Sequence, residues 1–93
     1  INTDNYDVYQ ITALAAAITS MTTNLSGTPV TGQKLLLSFK DNGTARAITW
    51  GASFQSSGVA TLLATTVASK THWVGLIYNG SKWTCLAVDA TGY

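Results

Sequence analysis

Hydrophobic and polar positions alternate most clearly between Gln33 and Trp50. Leu35, Leu37 and Phe39 recur at every second position, and Ile48 and Trp50 do the same after a polar interval. That period of two is the mark of a strand with one buried face. Between the two runs lies Asn42-Gly43, the dipeptide best suited to a two-residue hairpin loop, since a type I′ turn needs positive φ at both central positions. With that loop Leu35 faces Trp50, Leu37 faces Ile48 and Phe39 faces Arg46. Leu35, Leu37, Phe39, Ile48 and Trp50 then share one side, while Leu36, Ser38 and Lys40 share the other with Thr49, Ala47 and Ala45. A three-residue loop would split the apolar set between faces, so the pattern predicts a two-residue hairpin over residues 33–50.

A second hairpin is predicted where His72–Tyr78 and Trp83–Val88 flank Asn79-Gly80-Ser81-Lys82. A four-residue loop pairs Tyr78 with Trp83, Trp73 with Val88 and His72 with Asp89. Both faces of this hairpin are apolar: His72, Val74, Leu76 and Tyr78 on one side, Trp73 and Ile77 on the other. A sheet apolar on both sides needs cover on both. One cover is the intrachain core, and the other is expected from a partner chain.

The remaining segments are read more coarsely. Asp7–Thr12 alternates as a strand, and Ile18–Leu25 suits a Thr-rich edge strand. Thr12–Thr19 between them has the Ala and Leu content of a helix, but its β neighbours favour a bend into the next strand. Ser26-Gly27-Thr28-Pro29 and Thr31-Gly32 are turn chemistry. Gly51–Gly58 reads as a loop or short irregular strand around Phe54, and Val59–Val67 as a connection that lays side chains on the core. Residues 1–5 are expected to be a tail or linker, and residues 6–93 a single domain. The fold expected is all-β, an antiparallel, jelly-roll-like β-sandwich of about six to eight strands.

Composition narrows the function. Charged residues are 10% of the 93 and the net charge is +1, against a usual charged fraction of about 25%. Hydroxyls must keep the surface wet, and no basic cluster exists to hold nucleic acid or an anionic membrane. The single Cys85 excludes an internal disulfide. The longest apolar run, Ala13–Ile18, falls far short of the ~20 residues that cross a bilayer. The start at Ile1 rather than Met points to a processed product, an excised fragment or a partly ordered chain.

Three phrases resemble a β domain recurring in virion proteins of tailed bacteriophages. They are Gly27-Thr28-Pro29-Val30-Thr31-Gly32-Gln33-Lys34-Leu35, Lys40-Asp41-Asn42-Gly43-Thr44-Ala45-Arg46-Ala47-Ile48-Thr49-Trp50, and Lys70-Thr71 with Gly75-Leu76-Ile77-Tyr78-Asn79 and Lys82-Trp83. The resemblance spans roughly Tyr6 to Val88 and departs from the family's pattern in Ala13–Leu25 and Gly51–Thr66. It implies a structural or adhesive module of a tail, tail fibre or capsid decoration, commonly presented as trimers, located in the virion and contacting other virion proteins. No catalytic residue and no cofactor comes with it.

Candidate chemistry is thin. The predicted register sets His72, the single histidine, beside Asp89, and Ser and Thr are abundant, so a hydrolase triad is imaginable. A strand-end histidine with a structural hydrogen bond is the far commoner arrangement. One His, one Cys and four Asp form no zinc spacing, and Asp41-Asn42-Gly43 lacks the distal acid of a calcium loop. The expectation is a non-enzymatic, self-associating module without cofactor, with a host surface glycan as the alternative partner. Trp73, Val74, Leu76, Ile77, Tyr78, Trp83 and Tyr9 are the candidate subunit-interface or ligand contacts. Of the tyrosines outside the core phase, Tyr6, Tyr9 and Tyr93 are the candidates for exposed contact.

Overall fold

The computed structural model describes residues 1–5 and 7–93, and the expectation of exposed contact at Tyr6 lies outside the described residues. Among these, five strands form one sheet: β1 (Val8–Leu14), β2 (Lys34–Asp41), β3 (Phe54–Gln55), β4 (Thr71–Tyr78) and β5 (Trp83–Val88). Their spatial order is β1-β2-β4-β5-β3. The chain is all-β, as its alternation predicts. The sheet is mixed rather than antiparallel: β2–β4 and β4–β5 are antiparallel, while β1–β2 and β3–β5 are parallel.

The hairpin predicted over residues 33–50 does not form. β2 pairs instead with β4, setting Leu35 against Leu76, Leu37 against Val74 and Phe39 against His72, and its other edge is taken by β1. Two causes are visible. β4 offers an unbroken in-phase row of large side chains, whereas residues 44–50 alternate Ile48 and Trp50 with alanine and threonine. The turn chemistry also differs from a type I′ loop, because Gly43 takes positive φ (105°) while Asn42 does not. The carboxylate of Asp41 accepts the Gly43 N–H at 3.0 Å and the Ser69 N–H at 2.8 Å, which bends the chain out of the sheet. The predicted faces nevertheless survive the change of partner. Leu35, Leu37, Phe39, Ile48 and Trp50 are all buried.

Ile48 and Trp50 reach the core from the opposite side. Three short segments, 18–22, 46–50 and 64–66, lie over the sheet, joined by hydrogen bonds such as Ile18 N–H to Ala47 O (2.9 Å) and Ile48 N–H to Ala64 O (2.8 Å). They form isolated bridges rather than strands. The edge strand expected at Ile18–Leu25 is reduced to the bridge at Ile18 and one turn of 3-10 helix at Thr22–Asn24. Hydroxyls explain this. Thr22 Oγ1 donates to Trp50 O and Thr23 Oγ1 to Ser20 O, so side chains compete with a ladder for backbone partners.

Trp50 is the centre of this layer. Its ring meets Phe39 edge-on at 5.8 Å and Phe54 at 5.0 Å. Its buried indole N–H donates to Leu63 O at 2.7 Å, which satisfies a donor that would otherwise be stranded. Gly51 follows at φ 85°, where a Cβ would stand 2.5 Å from Thr22 Oγ1, so only glycine lets the two segments meet.

Two more differences concern the ends. Residues 1–5 are fastened down rather than free: Asn2 bridges Ser26, Thr3 is buried, and Gln33 Nε2 donates to Thr3 O at 2.7 Å. The second hairpin forms with Tyr78 opposite Trp83 as predicted, but a bulge beyond Leu76 advances the register. Val74 rather than Trp73 stands opposite Val88, and Leu86 is the extra residue.

Candidate functional site

Alternation on β2 and β4 decides what each face of the sheet carries. Leu35, Leu37, Phe39, His72, Val74 and Leu76 point under the covering layer and are buried. Lys34, Leu36 and Ser38 face the other way, in register with Ile77, Gly75 and Trp73. β1 adds Val8 beside Leu36. The bulge leaves Leu86 against the same groove.

That outer face is a shallow groove of about 610 Å³ walled by Val8, Leu36, Ile77 and Leu86 over a floor at Gly75. Val8, Leu36 and Leu86 are 46%, 43% and 49% exposed, well above the core residues beside them. Gly75 deepens the groove. A Cβ there would meet Leu36 Cδ2 at 3.5 Å and Ala87 Cβ at 3.6 Å, ordinary contact distances, so the space is open rather than closed by a clash. Asp7 and Lys34 line the same groove with opposite charges, and no ion pair is formed among the described residues. Each half-exposed aliphatic side chain stands to gain about 1 kcal/mol on being covered, half of the ~1.5–3 kcal/mol for a whole residue.

The predicted contact residues divide. Trp73 and Ile77 lie half-buried on the outer face, and Trp73 Nε1 donates to Tyr93 Oη at 3.0 Å. Val74, Leu76 and Trp83 are core residues with almost no exposed surface. Tyr9 is 37% exposed and stands opposite Leu37, away from the groove. Tyr78 is half-buried and packs edge-on against Trp83 at 5.2 Å. Val8, Leu36 and Leu86 were not singled out from the sequence. Leu36 carried a signal, as the one large apolar side chain in the Lys34, Leu36, Ser38, Lys40 phase, but Leu86 owes its place to a bulge that no pattern announces.

The imidazole and the carboxylates of Asp41 and Asp89 are occupied by structure. His72 is fully buried; its Nε2 accepts the Val67 N–H at 2.9 Å, which leaves Nδ1 to donate to Asp89 O at 2.8 Å. The Asp89 carboxylate does not meet the ring and accepts the Gly92 N–H at 3.0 Å. Asp41 is buried, and its Oδ2 accepts the Thr66 hydroxyl at 2.7 Å. That bond, the amides of Ser69 and Gly43 and the charge of Arg46 outweigh burial and hold its carboxyl below the usual range. Burial pushes the Cys85 thiol up, away from the reactive thiolate. Among the described residues no group of His, Cys, Asp or Glu is placed to hold a metal ion, and no helix is long and apolar enough to cross a membrane.

A second feature lies at the opposite end of the sheet from Trp73. A cleft of about 250 Å³ opens between the β4–β5 turn, the chain at 25–29 and residues Thr3, Thr22 and Ser53. Asn79 Oδ1 fixes the turn by accepting the N–H groups of Ser81 (2.9 Å) and Lys82 (2.8 Å). Ser53 is held from both sides, donating its N–H to Thr22 Oγ1 and accepting from Trp83 N–H at 2.9 Å. Compared with family models, curated proteins and solved structures, the chain finds no match.

Proposed function

We propose that this chain is a non-enzymatic structural module of a tailed-phage particle, a building unit of a tail, tail fibre or capsid decoration that assembles with copies of itself. The observation that carries the reading is the outer face of the sheet, where Val8, Leu36, Ile77 and Leu86 line an open apolar groove. The resemblance of the Gly27–Leu35 and Lys40–Trp50 phrases to virion β domains supports the same reading.

The occupant of the groove is a second copy of the chain. Asp7 and Lys34 bring one acid and one base to its lining. An interface that sets Lys34 of one copy against Asp7 of the next would pair the two charges, as a self-complementary surface requires. A trimer is the state implied by the resemblance. Presentation and contact are the work of such a module; the buried His72 and Asp41 serve its rigidity.

Sedimentation velocity on the isolated chain across the micromolar range tests the proposal. A concentration-dependent shift from monomer to trimer is the expected result. A dimer would overturn the trimer and keep self-association, and a monomer throughout would overturn both.

A further inference from the structure

We propose that the cleft beside the β4–β5 turn binds a single neutral pyranose ring of a glycan. The inference goes beyond self-association, because the cleft and the apolar groove have different walls and neither needs the other.

Three properties of the cleft define the ligand. Its lining holds no Asp, Glu, Lys, Arg or His, so nothing there compensates a phosphate, carboxylate or amine. Its polar groups are hydroxyls. Thr3 Oγ1 and Thr22 Oγ1 are engaged with Ser26 O and Trp50 O. Ser53 Oγ, Ser81 Oγ and Tyr78 Oη have no hydrogen-bond partner among the described residues and remain to donate and accept. The rest of the wall is apolar, supplied by Leu25, Pro29, Tyr78 and Trp83.

A sugar ring presents this same combination, hydroxyls around its edge and C–H groups on its faces, and the negative face of an aromatic ring attracts such C–H groups. The half-exposed Tyr78 ring, held edge-on by Trp83, is the surface for that contact. Size sets the number of rings. About 250 Å³ falls below the ~300–1,000 Å³ of drug-sized pockets, which leaves room for one residue of a chain. The walls are preorganised by the Asn79 turn, the Thr22–Ser53–Trp83 links and the Thr3–Ser26 bonds, so little ordering is lost on binding.

The test is an amide-and-indole NMR titration of the whole chain with methyl glycosides of glucose, galactose, mannose and N-acetylglucosamine at millimolar concentrations, with N-acetylneuraminate and glucose 6-phosphate as charged counterparts. At least one neutral glycoside should shift Ser53, Ser81, Tyr78 and the Trp83 indole, and the charged sugars should not. Ser81→Ala with Ser53→Ala should weaken binding roughly tenfold while leaving the rest of the spectrum in place. Tyr78→Ala should abolish binding. Tyr78→Phe keeps the ring and should retain partial affinity even if Tyr78→Ala proves unstable. No shift with any neutral sugar, shifts away from the cleft, or unchanged affinity in the serine double variant would each overturn the proposal. None of these outcomes bears on the sedimentation result.

Discussion

Leu35, Leu36 and Leu37 are consecutive leucines on one strand, yet the first and third are fully buried and the middle one is 43% exposed. The two faces of the sheet differ less in what they are made of than in what lies above them. The inner face is roofed by residues 18–22, 46–50 and 64–66. The outer face carries Val8, Leu36, Ile77 and Leu86 along an open groove, with no covering layer among the described residues. Scattered exposed aliphatics are ordinary on any protein, and the contiguity of these four along one groove is what the proposed self-association rests on. The comparison also shows what a roof needs. Two segments of the covering layer are tied by buried polar bonds, from Trp50 Nε1 to Leu63 O and from Thr66 Oγ1 to Asp41.

The comparison breaks most severely through the inner face. Phe39 is fully buried and touches Trp50 edge-on, so Phe39→Ala removes both transfer energy and a layer-to-layer contact. Its expected cost is about 3–5 kcal/mol, read as a lower midpoint in urea denaturation. That is a large part of the ~5–15 kcal/mol available to a small domain, so the variant should be near the limit of folding.

Acid should loosen the roof more gently. The native Asp41 carboxyl is held below its usual value, first by the Thr66 hydroxyl and then by the Ser69 amide. Its ionised form therefore favours folding. That contribution is complete above the unfolded pKa of about 3.9 and is lost as pH falls from there through the lower native value. Thermal unfolding from pH 5 downward should show this loss, and Asp41→Asn should flatten the same stretch of the curve. An unchanged slope would remove Asp41 from the account of the covering layer.

On the outer face the same kind of substitution should have the opposite consequence. Leu36→Asp places a charge where water already reaches, so the monomer should keep its stability to within about 0.5 kcal/mol. Assembly should be lost, because the charge would be buried unpaired in the joined groove. Sedimentation beside a denaturation curve separates the two readouts. Destabilisation comparable to Phe39→Ala would mean that Leu36 belongs to the core after all.

How legible this was in the sequence depends on which physical level is asked. The phase of Leu35, Leu37, Phe39, Ile48 and Trp50 was readable, because burial of alternate residues is local to each segment. Their partner was not. Asn42-Gly43 and Asn79-Gly80 look alike as turns, yet only the second joins adjacent strands. At the first, Asp41 draws in Gly43, Ser69 and Thr66, contacts up to 28 residues away that no local pattern carries. The second closes within its own four residues, through Asn79 Oδ1 and the Asn79 N–H to Lys82 O bond. The two-sided apolar character of His72–Val88 was also readable, and it led to the outer face. The groove's far wall was not, since Leu86 enters through a bulge and Val8 through a parallel pairing across a long connection. The hydroxyl-lined cleft was hidden for the same reason: Thr3, Ser53 and Ser81 are remote in sequence, and each alone is an ordinary surface residue.

The smallest effect bears most directly on what the outer face meets. If Lys34 of one copy stands against Asp7 of the next, Lys34→Asp sets acid against acid at every junction, and Asp7→Lys sets base against base. Each should weaken assembly modestly, since an exposed pair contributes about 0–1 kcal/mol, or up to roughly fivefold in dissociation constant. The double exchange restores opposite charges and should recover wild-type assembly. It should also keep the sensitivity to added salt expected where the Debye length is ~10 Å at 0.1 M. Two independent solubilising charges would behave otherwise: their effects would add, and the double exchange would rescue nothing. Rescue thus distinguishes a surface shaped to meet its own copy from an apolar face that merely adheres.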